Sequence, residues 1–337
     1  MTRPRATLVS VEDTPYYHCI GRCVRRAFLC GEDQLTGKSF AHRRQWILGR
    51  LKLLTETFAI DLCAYALMNN HYHLVVRIAP ERVKAWTARE IVERWVRLFS
   101  GPDLVRRYLA REGLSDTERA TLNTLIGEWA SRLSDLSWFM RCLNEPISRQ
   151  ANLEDGCTGH FWEGRFKSQA LLDETALLTA MVYVDLNPVR AGFAETPINS
   201  DFTSIQQRLF EIARRKSTAQ NAPATEKPAL LQFVGMQCAD SADDLPFNLQ
   251  DYVDLVDTTG RLVRSDKRGA IAADQPKLLT TLGISPEEWF NSVTQLQSRF
   301  GLFVGAPHHL RRIADKRGWR WIRGLAAGRR LYAIANK

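Results

Sequence analysis

The sequence contains no apolar run approaching the roughly 18 to 20 residues that a membrane-spanning helix needs, and its first ten residues carry no apolar core of a secretory signal. Those two absences lead us to expect a cytoplasmic protein with no membrane partner. There is no CxxC pair among the seven cysteines, Cys19, Cys23, Cys30, Cys63, Cys142, Cys157 and Cys238. Soft-metal sites use tight paired spacing, so reduced and mostly buried thiols are expected. The stretch GEDQLTGKS (31–39) has one residue too many between its glycines for a phosphate-binding loop, and Glu32 and Asp33 ahead of a helix account for it more simply. No nucleotide cofactor is expected. No internal repeat is found, and acid is nearly missing from the last thirty residues, which carry RR, DKR, RWIR and GRR.

What is there is an ordinary globular composition, 45% apolar and 25% charged, in a chain of 337 residues. That length suggests two domains. A net charge of +9 favours an anionic partner, of which nucleic acid is the commonest.

Residues 16–29, YYHCIGRCVRRAFL, read as a strand, and 43–58 repeat apolar residues at helical spacing. The stretch IDLCAYALMNNHYHLVVRI (60–78) is two apolar runs joined at Met68, Asn69 and Asn70, a hairpin in which asparagine would accept left-handed turn geometry. Residues 80–151 are helical almost throughout. HFWEGRFKSQALL (160–172) alternates bulky and polar side chains as a strand would, after which Asp173 caps a helix ended by Asn187-Pro188. This order predicts an α+β fold, an antiparallel sheet with helices on one face. The polar stretch KSTAQNAPATEKPA (216–229) has linker composition. The expected division is a first domain over 1–214 with a helical insertion at about 81–150, a linker over 215–232, and a smaller, basic, mainly helical domain over 233–337.

The chemistry-bearing cluster is His71-Tyr72-His73, because residues two apart on a strand share a face and two imidazoles can hold one metal ion. On the last helix Tyr183 and Asn187 are four apart, which sets a phenol and an amide oxygen on one helical face. Arg165 and Lys167 alternate along the preceding strand and suit phosphate, with Trp162 available to stack on an unpaired base.

Four blocks, YHCIGRCVRRAFL (17–29), MNNHYHLVV (68–76), GHFWEGRFKSQ (159–169) and YVDLNPVRAGF (183–193), resemble the signature blocks of the HUH-type single-tyrosine, insertion-sequence-200-like transposases. The resemblance is nearest to their REP-associated tyrosine transposase branch and covers most of residues 10–200. It implies a ferredoxin-like sheet, His71 and His73 as the HUH metal pair, Tyr183 as nucleophile and Asn187 as a third, amide-type ligand. It further implies a divalent cofactor, Mg²⁺ or Mn²⁺, and single-stranded DNA with hairpin structure as partner, contacted by Arg22, Trp162, Arg165, Lys167 and Arg190. Monomer and homodimer stay open. The activity implied is transposase-type cleavage and strand transfer through a 5′-phosphotyrosine link. Asn69 stands where the family usually has proline, the helical stretch is longer than in compact members, and the C-terminal part lies outside the family's core.

Two other readings remain. A non-catalytic DNA-binding regulator could keep the fold, although all four residues of the chemistry are present. An HUH replication initiator or relaxase shares the chemistry but usually carries a helicase motor or a second neighbouring tyrosine, which Tyr183 lacks.

Overall fold

The computed structural model describes residues 7–24, 29–32, 37–216, 227–236, 243–263 and 276–333. Residues 25–28 of the first block, 33–36 of the glycine-rich stretch, most of the linker and Cys238 lie outside them. The six described cysteines are thiols, five buried and Cys157 half-buried. No described helix is long and apolar enough to cross a membrane.

The first part of the chain runs β1 (Tyr16–Arg22), α1 (Arg43–Thr57), β2 (Ile60–Leu67), β3 (His71–Ile78), five helices α2 (Pro80–Ala85), α3 (Ala88–Val96), α4 (Asp103–Leu109), α5 (Asp116–Arg132) and α6 (Leu136–Glu154), then β4 (Lys167–Leu171), α7 (Glu174–Asp185), α8 (Asn187–Arg190) and α9 (Ser204–Lys216). Beyond it come β5 (Phe233–Val234), β6 (Leu245–Asn248), α10 (Leu249–Val263), α11 (Lys277–Thr281), α12 (Pro286–Thr294), α13 (Leu296–Arg299), β7 (Phe303–Val304), α14 (Pro307–Lys316) and α15 (Leu325–Leu331). The main sheet has the order β2-β3-β1-β4-β7. Its first four strands are antiparallel and in ferredoxin-like order, while β7 adds parallel to β4. The class is α+β.

The two helices of the ferredoxin-like unit, α1 and α6, share one face of the sheet with Tyr17, Cys19, Tyr72, Leu74 and Val76. The insertion builds an aromatic annex on that core, in which Trp95 stacks on Trp129 with centroids 5.3 Å apart. The opposite face is not left bare: α7 lies across it with Val75 and Leu171 beneath. The reason is in α7 itself, whose residues 175–185 are all buried. A helix that is apolar all round needs cover on every side. The sheet supplies one side, and Tyr252 and Leu255 of α10, Trp289 and Val293 of α12 and Leu296 of α13 belong to the same core. Residues beyond 233, read from sequence as a separate unit, therefore share a core with α7 and contribute an edge strand to the main sheet.

Two local expectations change. The hairpin turn closes with Met68 N donating to His71 O at 2.8 Å, and neither asparagine has positive φ. Strand β4 starts only at Lys167; Trp162 forms an isolated bridge with Cys23, and Arg165 sits in irregular backbone. Gly164 and the two residues flanking it are exposed, so no buried side chains hold that stretch to the sheet.

Candidate functional site

Antiparallel partners point to the same side of a sheet. In β3, His71 pairs with Arg22 and His73 with Ile20 of β1, while His18 pairs with Gln169 and Ile20 with Lys167 of β4. Arg22, His18, His71, His73, Lys167 and Gln169 thus share the face that α7 crosses. Tyr72, between the histidines, points to the other face, where its ring fills the space above Gly21: a Cβ there would meet the ring at 2.5 Å. The Tyr72 hydroxyl donates to Asn144 Oδ1 at 2.6 Å, which holds β3 in the register that presents both imidazoles.

The ring centroids of His71 and His73 are 4.9 Å apart, and His73 stacks on His18 at 5.1 Å. Tyr183 meets this pair edge-on, 5.6 Å from His73 and 5.7 Å from His18. The Arg190 guanidinium lies over the Tyr183 ring at 4.4 Å and donates through Nη2 to the Thr294 carbonyl at 2.8 Å. Its Nη1 is buried with no hydrogen-bond partner. Gln297 of α13 donates through Nε2 to the Tyr183 phenol oxygen at 2.8 Å.

All three histidines are held neutral near pH 7. Burial pushes His18 down to about 4. Burial, then the positive charge of Arg22, takes His71 to about 4 as well. His73 lies well below its ordinary value, first through burial and then through its two neighbouring imidazoles. A neutral imidazole is the form that ligates metal. His71 Nδ1 meets Asn70 Oδ1 at 2.5 Å and His73 Nδ1 meets His18 Nε2 at 2.9 Å, so the nitrogen left on each ring for a ligand is Nε2. Among the described residues, no group of three or more His, Cys, Asp or Glu side chains gathers to hold a metal ion. The donors that the structure brings together here are the two imidazoles.

Asn187 is 7% exposed at the start of α8, beyond the break that Pro188 imposes on α7. Arg22, Arg165 and Lys167 are exposed, whereas Arg190 is half-buried and turned into the site rather than outward. Trp162 is half-buried: its indole N–H donates to Asn144 O at 2.9 Å and its ring meets Phe161 and Tyr72 edge-on. Two clefts adjoin at residues 164–166. One, of ≈ 600 Å³, is lined by Arg141, His160, Trp162 and Arg165. The other, of ≈ 580 Å³, is lined by Arg165, Lys167, Gln169, Gln297 and Arg323.

Gln169 and Gln297 are site residues that the sequence reading did not single out, and His18 was read there only as part of a strand. A packed strand does describe His18, but only the register reveals that it meets His73. Asp185 was also missed. It is fully buried, and its carboxylate accepts from Ser204 Oγ at 2.5 Å, Ile205 N at 2.9 Å and Tyr252 Oη at 2.5 Å, pinning the end of α7 to α9 and α10.

No family model matches the chain, and no curated protein matches it. A solved structure of a REP-associated tyrosine transposase bound to a REP hairpin is similar at 12% identity and a TM-score of 0.34, over 70% of this chain and 94% of that one.

Proposed function

We propose that the chain is a transposase-type DNA endonuclease and strand transferase that cuts single-stranded, hairpin-associated DNA with Tyr183 as its nucleophile. The observation that carries this reading is the placement of the Tyr183 ring 5.6 Å from His73, with the Arg190 guanidinium over its face. One buried position thus joins a phenol, a pair of neutral imidazoles and a cation with an unsatisfied donor, the set that in-line attack on a phosphodiester requires.

His71 and His73 through Nε2, with the Asn187 amide oxygen, would hold a divalent ion, Mg²⁺ or Mn²⁺; the mixed nitrogen and oxygen donors suit Mn²⁺ better. Such an ion, when bound, polarises the scissile phosphate and stabilises charge on the leaving oxygen. The phenol oxygen of Tyr183 forms the new bond to phosphorus as the bond from phosphorus to the 3′ oxygen breaks. The phenol proton leaves to water and the 3′ oxygen takes one up, giving a 5′-phosphotyrosine and a free 3′-hydroxyl. Attack by a 3′-hydroxyl reverses the step and rejoins strands, with no nucleotide cofactor. Arg190 Nη1, buried and without a partner, is placed to donate to a non-bridging phosphate oxygen. Gln297 orients the phenol through its hydrogen bond to the oxygen. The unpaired strand would follow the two clefts, with Trp162 beside a base and Arg22, Arg165 and Lys167 on phosphates. The basic C-terminal residues would add further phosphate contacts.

The test is a labelled pool of hairpin-bearing single strands incubated with Mg²⁺ or Mn²⁺ and either wild type or Tyr183→Phe. The expected outcome is a denaturant-resistant adduct in wild type that needs the metal and vanishes in the variant, with DNA binding retained. Binding by both proteins without any adduct would leave the non-catalytic regulator as the better reading.

A further inference from the structure

Hydrogen-bonding groups on the site face run in line from the backbone of the C-terminal segment to His73. The Gly301 carbonyl only accepts, so Gln169 must present Nε2 to it, at 2.7 Å. That fixes the amide, and Gln169 Oε1 faces His18 Nδ1 at 2.9 Å, which obliges this nitrogen to carry a proton. His18 is fully buried, its ring neighbours are Gln169, His73 and Tyr183, and none of these is a carboxylate that would sustain an imidazolium. A neutral ring has one N–H, so His18 Nε2 holds a lone pair. The nitrogen opposite it at 2.9 Å, His73 Nδ1, must then be the donor.

We propose that His18 and Gln169 are positioning residues that lock His73 in the Nδ1–H tautomer, so that its Nε2 lone pair is turned to a divalent cation shared with His71. The inference rests on the reading of His71 and His73 as a metal pair. It adds a dependence on residue 301, whose carbonyl orients an amide, which orients one imidazole, which orients the next. Outer partners of this kind fix the ring orientation of a metal ligand and raise its basicity.

The tautomer is read directly on metal-free protein labelled with ¹⁵N-histidine, from long-range proton–nitrogen correlations. Mn²⁺ titrations then compare wild type with His18→Leu, which leaves His73 Nδ1 without an acceptor, and His18→Gln, which restores one. The expected results are an Nδ1–H His73 in wild type, Mn²⁺ binding about 10- to 100-fold weaker in His18→Leu, and near-wild-type binding in His18→Gln. An Nε2–H His73 in wild type overturns the lock without any variant having to fold. So does a His18→Leu protein that takes up Mn²⁺ as tightly as wild type. A wild type that takes up no Mn²⁺ overturns the metal reading itself and the lock's purpose with it.

Discussion

Replacing Asp185 should separate the anchoring of α7 from its chemistry. The carboxylate lies two residues past Tyr183, is fully buried and accepts three hydrogen bonds, from Ser204, Ile205 and Tyr252. Asp185→Ala leaves Ile205 N and Tyr252 Oη without a partner and Ser204 Oγ with only the Tyr65 carbonyl at 3.4 Å, and at about 1–2 kcal/mol for each of the three the loss is about 3–6 kcal/mol. Asp185→Asn keeps one oxygen for Ser204 and Ile205 and should cost far less. The two variants also differ in pH dependence. Burial raises the Asp185 carboxyl from 3.8 to about 6, against the lowering effect of its hydrogen bonds. Its folded pKa is raised, so its contribution is fully present below 3.8 and is lost as pH rises through about 6. That loss is about 3 kcal/mol. Asparagine has no such loss, so Asp185→Asn should gain on wild type by about that amount between pH 4 and pH 8. Urea unfolding of the three proteins at both pH values measures each quantity. An Asp185→Ala protein within about 1 kcal/mol of wild type, or a pH-independent gap between Asp185→Asn and wild type, would refute the reasoning.

Gln297 is exposed, so Gln297→Ala should leave stability nearly unchanged; without its donor to the phenol oxygen, adduct formation should slow about tenfold or more at saturating DNA. His18 and His71 have folded values near 4 against 6.5 unfolded, so their contribution is present above 6.5 and is lost as pH falls toward 4. Two such histidines outweigh the opposite trend of Asp185, and denaturant titrations should show wild type losing stability on acidification over that window. Deleting residues from 233 onward should produce insoluble or molten protein in circular dichroism and dye-binding assays, because α7 would lose the cover of α10, α12 and α13.

The strand-helix-hairpin opening was legible because its signals are local: Ile47, Leu48, Leu51 and Leu54 at helical spacing in α1 and two apolar runs around a polar turn. Asp173 capping α7, with Ala176 N donating at 2.9 Å, and Asn187-Pro188 ending it were legible for the same reason. The alternation of His71, Tyr72 and His73 placed the imidazoles on one face without any knowledge of partners. What sequence could not supply was register. His18 lies 55 residues before His73 in sequence, and only antiparallel pairing of β1 with β3 brings their rings together. The early start assigned to the strand before α7 was a related failure, since alternation in 160–166 arises where a single bridge to Cys23, rather than a ladder, holds the chain.

The C-terminal segment shares its core with α7 and adds β7 to the main sheet, which its composition alone does not reveal. Its basic tail and the polar stretch before it both suggest an appended unit. The competing signal lay in α7, where ETALLTAMVYVD carries apolar residues around its whole circumference. A sheet can cover only one side of such a helix, so something later in the chain had to cover the other. The same packing that satisfies α7 delivers Thr294 to Arg190, Gln297 to Tyr183 and Gly301 to Gln169. Burial of an apolar helix and completion of the site are therefore one event: the segment that shields α7 from water is also the segment that orients its tyrosine.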